Sequence, residues 1–566
     1  MIRDDDPILE IDPGVPVDET LADAGLPPAV GVKSYCVFRA SRDAPDLSDG
    51  YGWTYHHHVD MACWRGRLYV GWNSCQRDED IWPSRELFST SSDGIDWSPP
   101  AELFPQGLST CLRMYFYRAP IGRLLVIAGR RSGTMKTDED AKGDLIVREI
   151  GADHRLGEIF TLQGRPKPDA PPPFERSGDT GLVESCRALL ADTTFLEQQD
   201  RGRLLGDRRM KWHDAAAWPG GVVPGDNAKW VAGKAFSFFR RKDGAIVGVS
   251  KMGWTTISVD GGRTWARPRV PPTLVTGKAK VWSQPTCDGR FALVYNPSRR
   301  NRYPLVIVTG DDGVRFGDMR LIQGELPIQR YAGADRSIGP QYVRGISHWA
   351  DDGTRSQDRA LWLVYSMSKE DIWVSRVPLP VVAEASTDAV SDARLDSWNL
   401  HVPKWSAARA IAGGVELENR DSFDHPIATR VFPTAARIEL TFELRPGGGP
   451  VQVDLLSRLG CRRPVRLVFS DDTLIVQGAP PIPLGGDSWH AFRIVSNAAE
   501  QRFGLSVDGG DPIGLPFSEP ADDIQRITLR LGLFRAIGGK QPVAVGSDIP
   551  TSARSGALRN LTWRIV

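Results

Sequence analysis

The chain has 566 residues and a mass of 62.4 kDa, enough for more than one domain with a sizeable core. Its 70 Lys plus Arg balance 70 Asp plus Glu, which excludes a generally basic nucleic-acid binder. No apolar run reaches the length of about 18 residues that marks a membrane span, and seven scattered cysteines without a Cys-x-x-Cys pair argue against a disulfide scaffold or a cysteine zinc site.

In chain order, the first 50 residues form a segment that completes or covers the adjoining domain. The opening Met1–Gly14 is acidic and has no apolar leader. The expected location is cytoplasmic, or secreted or periplasmic if a signal peptide was removed ahead of this numbering. From 51 to 380 one unit recurs: two short apolar strands, a Ser/Asp/Gly turn and an aromatic. Its clearest copy is Ser258-Val259-Asp260-Gly261-Gly262-Arg263-Thr264-Trp265, after the strand-like Ala245–Ser250 and Thr255–Ile257. An earlier copy is Ser91-Ser92-Asp93-Gly94-Ile95-Asp96-Trp97, and a weaker one runs from Gly310 to Phe316. In such a unit Asp caps turn N–H groups, Gly takes a positive φ, and the aromatic plugs the turn onto the sheet. Trp265 and Phe316 lie 51 residues apart, the length of a four-stranded propeller blade. Further strand clusters at 112–150 and 337–377 bring the recognisable blades to five, with room for seven. Near 170–230 a Pro-rich stretch and a helix-like run from Gly181 to Asp200 read as an insertion. Residues 381–397 read as a linker, and from 398 to 566 period-2 alternation predicts an antiparallel β-sandwich. The fold class is therefore all-β: a five- to seven-bladed β-propeller followed by a sandwich.

The octet Ser258–Trp265 carries Ser-x-Asp-x-Gly-x-Thr-Trp in full and so resembles the Asp-box of the sialidase superfamily. Leu293–Phe316 is similar to a blade of that superfamily. Tyr365–Arg376 is similar to the last blade of bacterial BNR-repeat carbohydrate-active proteins. The resemblance spans roughly residues 50–380, and the sandwich resembles the LamG-like jelly rolls that accompany such propellers. It implies a ligand at the propeller centre. Sialidases hold the substrate carboxylate with three arginines and use a Tyr/Glu pair as nucleophile and an Asp as acid/base. Their first arginine lies in a Phe/Tyr-Arg-Ile-Pro motif about ten residues before the next turn glycine. Here that place, counted back from Gly66, holds His56 within Tyr55-His56-His57-His58. Imidazole lacks the bidentate fork that grips a carboxylate, which points to a non-sialic substrate.

Alternation along this strand predicts His56 and His58 on one side and His57 on the other, with His56 contacting substrate and His57 or His58 acting in catalysis. Arg77-Asp78-Glu79-Asp80 follows the first blade's strand where a sialidase carries its acid, so Asp78 and Asp80 are candidate acids and Arg77 a candidate substrate contact. A carboxyl against an apolar wall of Trp72 and Trp82 stays protonated and able to act as an acid. Gln341-Tyr342-Val343-Arg344 opens a late blade, with Tyr342 as base or nucleophile and Gln341 and Arg344 as substrate contacts. Lys369, before the last strand, is a further contact, and Trp72 a stacking platform. Lys211-Trp212-His213-Asp214 in the insertion reads as a loop anchor. Three adjacent histidines on a strand cannot all ligate one zinc. No Walker loop, dinucleotide fingerprint or Gly-x-Ser-x-Gly elbow occurs, so no metal and no cofactor is expected. These residues lead to an enzyme cleaving a glycosidic bond in an acidic or deoxy-sugar-containing glycan, a glycoside hydrolase of sialidase-like type. Two alternatives stand beside it: a polysaccharide lyase in which His works with Tyr and Arg on a uronate, and a non-catalytic glycan-binding protein. The expected partner is an oligo- or polysaccharide, with neither nucleic acid nor membrane.

Overall fold

The computed structural model describes the chain except for residues 1–7, 80, 131–143, 165–169, 193, 196–234, 267, 278, 347–358, 385–394, 471 and 537–542. The candidate acid Asp80, the Lys211–Asp214 motif and the latter part of the helix-like run lie outside the described residues. Two compact units form, each from discontinuous segments. The first comprises Met1–Gly14, Val37–Met319 and Arg330–Val374; the second comprises Val15–Cys36, Arg320–Gln329 and Ser375–Val566.

Among the described residues of the first unit, five β-sheets are arranged like propeller blades. The opening strands are Tyr55–Trp64, Ser109–Arg118, Ser237–Arg240, Trp282–Pro285 and Pro340–Ile346. These strands neighbour one another: Tyr55–Trp64 adjoins both Ser109–Arg118 and Pro340–Ile346, and Trp282–Pro285 adjoins both Ser237–Arg240 and Pro340–Ile346. They are therefore the inner edges. Within a blade, consecutive strands pair antiparallel, as Ile246–Val249 does with both Ser237–Arg240 and Thr255–Ser258. Glu10–Ile11 adds a parallel outer strand on Arg315–Phe316. Between blades the faces are apolar: Phe116, Val126 and Ile146 of the second sheet pack with Tyr69, Phe88 and Leu103 of the first.

The turns behave as their residue types require. Asp260 accepts from the backbone N–H of Arg263 and Thr264 at 3.0 Å each and from the Thr264 hydroxyl at 2.6 Å. Gly262, at φ +87°, donates its N–H to Ser258 Oγ. Trp265 is buried edge-on against Phe236. The Ser91–Trp97 turn repeats this pattern, with Asp93 accepting from Ile95 and Asp96 and Gly94 donating to Ser91. Burial opposes the charge on both aspartates, yet the turn's donors outweigh it and hold both carboxyls below their usual range.

After the second sheet the chain forms the helix Thr180–Ala191. Asp179 caps it by accepting from Gly181 and Leu182. Leu182, Cys186 and Leu189 pack onto Tyr117, Leu125 and Phe160 of that sheet.

In the second unit two sheets of antiparallel strands face each other. One runs in the order Trp398–Val402, Ile427–Ala435, Ile524–Arg530, Val451–Leu456, Val465–Ser470, Thr473–Val476, Ile482–Pro483. The other runs Ser406–Ile411, Gly414–Asn419, Arg554–Ile565, Arg437–Arg445, His490–Asn497, Arg502–Val507, Ile513–Pro516. Lys33–Tyr35 adds in parallel to Trp398–Val402. Burial alternates with period 2 along Arg437–Arg445 and Val465–Ser470. Phe469 of the first sheet meets Phe492 of the second edge-on at 5.6 Å, so the sheets share one apolar core.

Candidate active site

The inner edge of the first blade does not alternate as the sequence predicts. The register of Tyr55–Trp64 against Arg67–Cys75 slips between His57 and Asp60, and His58 sits at φ +51°. This β-bulge re-aims the side chains. His57 and His58 come together, rings 4.7 Å apart. His56 turns away, packing on Phe38 at 4.4 Å and hydrogen-bonding through Nε2 to the Trp53 carbonyl at 3.0 Å. Burial drives the His56 imidazole down to about 4, so it is a neutral structural group at neutral pH.

A second bulge faces the first. The strand Pro340–Ile346 slips register between Gln341 and Arg344, with Tyr342 at φ +56°. Tyr342 is thereby set against both histidines, its ring 4.3 Å from His57 and 5.3 Å from His58. Left-handed backbone at bulky residues is costly, about 1–3 kcal/mol each, and clusters where geometry serves chemistry. The phenol oxygen has the Lys251 ammonium at 3.3 Å, and the Arg302 guanidinium lies 5.8 Å from the ring centre.

His57 is fully buried, and neither of its ring nitrogens has a hydrogen-bond partner among the described residues. Burial first, then the neighbouring His58 and Lys369, hold its pKa well below the usual 6.5. His58 differs. Its Nε2 meets Glu79 Oε1 at 3.0 Å, and the Lys369 ammonium meets Glu79 Oε2 at 3.3 Å. Burial opposes the Glu79 charge, but His58 and Lys369 more than offset it and keep the carboxyl far below its ordinary range. Lys369 reaches Glu79 from the hairpin turn Ser368-Lys369, both residues at positive φ as a type I′ turn requires. Burial and the nearby Glu79 carboxylate push the Tyr55 phenol well up.

The other sequence candidates have different surroundings. Asp78 is buried and accepts from the backbone N–H of Ala334, Asp335 and Glu79, tying two loops together. Arg77 is exposed, and its carbonyl accepts from Arg336. Gln341 is fully buried and is held by Arg302 and Ser337. Trp72 is wholly buried against Phe38, while Trp82 is on the surface. Arg344 is buried between Tyr115 and Trp282, with Asp60 Oδ1 at 3.6 Å from its Nε and its Nη1 without a partner among the described residues.

Lys251, Glu79, Arg302 and Asp60 were not singled out from the sequence. Glu79 stands in the acidic run that drew attention to its neighbours. Lys251 comes after the strand Ile246–Val249 in a short turn with no chemical signature, and only blade packing brings it to Tyr342. Among the described residues no group of three or more His, Cys, Asp or Glu is placed to hold a metal ion.

A family model described as a BT_1020-like N-terminal beta propeller matches residues 12–111, and a sialidase-like CBM domain matches residues 398–541. No curated protein matches the chain. Among solved structures, a sialidase superposes with a TM-score of 0.86 at 28% identity, covering 99% of this chain and 54% of the other. The chain thus spans about half the length of that relative. Two more distant structures superpose only loosely. One is the intramolecular trans-sialidase from Ruminococcus gnavus, with a TM-score of 0.33, 12% identity, and 62% and 98% of the two chains covered. The other is a sucrose-6-phosphate hydrolase from Lactobacillus gasseri, with a TM-score of 0.31, 12% identity, and 91% and 94% covered. The chain has a sialidase-like fold, in which a β-propeller is joined to a sialidase-like CBM domain.

Proposed function

We propose that the chain is a glycoside hydrolase of sialidase-like type acting on an acidic glycan, with Tyr342 as nucleophile and His57 as its base. The observation that carries this reading is the buried, unpartnered imidazole of His57 against Tyr342, whose phenol oxygen already faces Lys251. A phenol is a weak nucleophile at neutral pH. Lys251 Nζ at 3.3 Å places a positive charge beside the phenol oxygen, and an imidazole kept neutral by burial is free to take the proton. A tyrosine also suits an anomeric carbon that bears or neighbours a carboxylate, since an anionic Asp or Glu would be repelled there. Arg344, Arg302 and Lys251 supply positive charge for that carboxylate. Departure of the leaving group needs a proton, which we assign to the His58–Glu79 pair. Water then displaces Tyr342 from the anomeric carbon, and the net reaction adds one water across the glycosidic bond.

A second reading rests on a specific feature: no carboxylate is hydrogen-bonded to Tyr342 among the described residues, and histidine, tyrosine and cations are what uronate elimination needs. Tyr342 or His57 then removes the proton next to the carboxylate while a cation neutralises the acid. Incubating wild type, His57→Ala and Tyr342→Phe with sialosides, uronate-rich gums and rhamnosides separates the readings by product mass and ultraviolet absorbance. Gain of water, lost in both variants, supports hydrolysis. An unsaturated uronate replaces that reading with elimination. No product from any substrate leaves a glycan-binding protein.

A further inference from the structure

The second unit contains a cavity of about 590 Å³ that the propeller chemistry does not use. Its floor is the face of the Trp398–Pro483 sheet that points away from the sandwich core. On Ile524–Arg530 the alternation sends Ile527 and Leu529 into that core, and Arg526, Thr528 and Arg530 to the opposite face. The register places Asp454 beside Thr528 and Thr429 on its other flank. The outer face of a sandwich sheet is ordinarily solvated. Here Arg526, Thr528, Arg530 and Asp454 are buried and Thr429 is half-buried, because Thr20–Asp23, Leu321–Leu326 and Gly460–Arg463 form the walls.

The charges on this floor are not closed among themselves. The lining carries five arginines (462, 463, 526, 530, 535) against four carboxylates (Asp23, Glu325, Asp454, Glu519). Arg530 is satisfied by a two-pronged pair with Glu325 at 2.6 and 2.9 Å. Arg463 pairs with Asp454 at 3.4 Å and lies over the Phe534 ring. Among the described residues Arg526 has no such partner. It is 4% exposed, and its guanidinium donates only to Gln525 Oε1 at 3.2 Å and the Cys461 thiol at 2.9 Å. Asp23 stands by that thiol and contributes to raising its pKa. A buried guanidinium without a carboxylate is expensive unless an anion completes it.

We infer that this cavity is a second ligand site, which binds a carboxylate-bearing sugar of one or two rings with its acid group on Arg526. The volume lies in the range of small-molecule pockets. Thr528 and Thr429, whose hydroxyls bond each other at 2.9 Å, keep acceptor capacity along the lining for sugar hydroxyls. This site is independent of the propeller reaction, and either assignment can fail alone.

The test uses the full chain carrying Tyr342→Phe, so that any binding at the propeller is altered separately. Calorimetric titration compares glucuronate and galacturonate, the neutral parent sugars, and inorganic phosphate. Binding of an acidic sugar that Arg526→Gln weakens by about 10- to 100-fold is the expected result. In the otherwise wild-type chain, Arg526→Gln leaves turnover unchanged. Should Arg526→Gln fail to fold, Ala22→Phe at the rim closes the cavity without removing a buried charge and is expected to abolish the same binding. Uronate binding whose affinity and stoichiometry survive both substitutions overturns the site, as does failure to bind any acidic sugar. Phosphate binding as tightly as the uronates overturns the sugar assignment.

Discussion

The propeller's outer turns and its inner edges are built from the same strands and solve opposite problems. At the Ser258–Trp265 turn, the aspartate's acceptor capacity is taken up by turn donors, and the strained backbone falls on glycine. Tyr55–Trp64 and Pro340–Ile346 instead put left-handed backbone on His58 and Tyr342, and leave the His57 nitrogens and one Arg344 nitrogen buried without partners among the described residues. The first arrangement closes its hydrogen bonds and stabilises. The second leaves capacity open at a cost the rest of the blade must cover, and that open capacity is what a substrate can use.

Mutations that test this contrast have effects of very different size. Tyr342→Phe and His57→Ala are expected to lower kcat by about 10²- to 10⁴-fold, while Tyr342→Phe, which keeps the ring packing and gives up only the Lys251 contact, leaves the unfolding midpoint nearly unchanged. A large loss of stability with activity per folded molecule intact would collapse the contrast. Trp265→Ala should do the reverse, costing about 3–5 kcal/mol in denaturant unfolding with turnover by the folded fraction unchanged.

The pH profile sharpens the contrast further. His57 acts as a neutral base and burial depresses its pKa, so the acidic limb of kcat/KM is expected well below pH 6.5. A limb at about pH 6.5 would mean an ordinary, solvated imidazole. The structural His56 gives a separate signal. Its folded pKa of about 4 lies below the unfolded 6.5. Between those values the unfolded chain binds more protons, so stability is full above pH 6.5 and is lost as pH falls towards 4. A His56→Phe variant, which keeps the packing on Phe38, should flatten that slope in unfolding measurements. Smallest of all, Glu418→Ala removes only an exposed pair with Arg409 and should change stability by less than about 0.5 kcal/mol.

Much of the architecture could be read directly, for reasons visible in single residues. Alternation in Ile438–Leu444 and Phe492–Val495 marked the sandwich because one face is buried and one wet. The octet at 258–265 was legible because its hydrogen bonds are local, closing within seven residues. The site was legible in part. His57 and His58 of the triplet meet Tyr342, and Lys369 joins them through Glu79, while His56 turns away; alternation put His57 and His58 on opposite sides, and the bulge joined them. Nothing local marked Lys251, which is 91 residues from Tyr342.

Residue order alone was therefore enough for the blades, the turns and the sandwich, because strand periodicity and turn chemistry act over a few neighbours. Which histidine stays buried and free, which one pairs with Glu79, and which lysine faces Tyr342 were set by the packing of inner strands from different blades. Burial and charge–charge contact depend on groups distant in sequence. No short-range pattern records them.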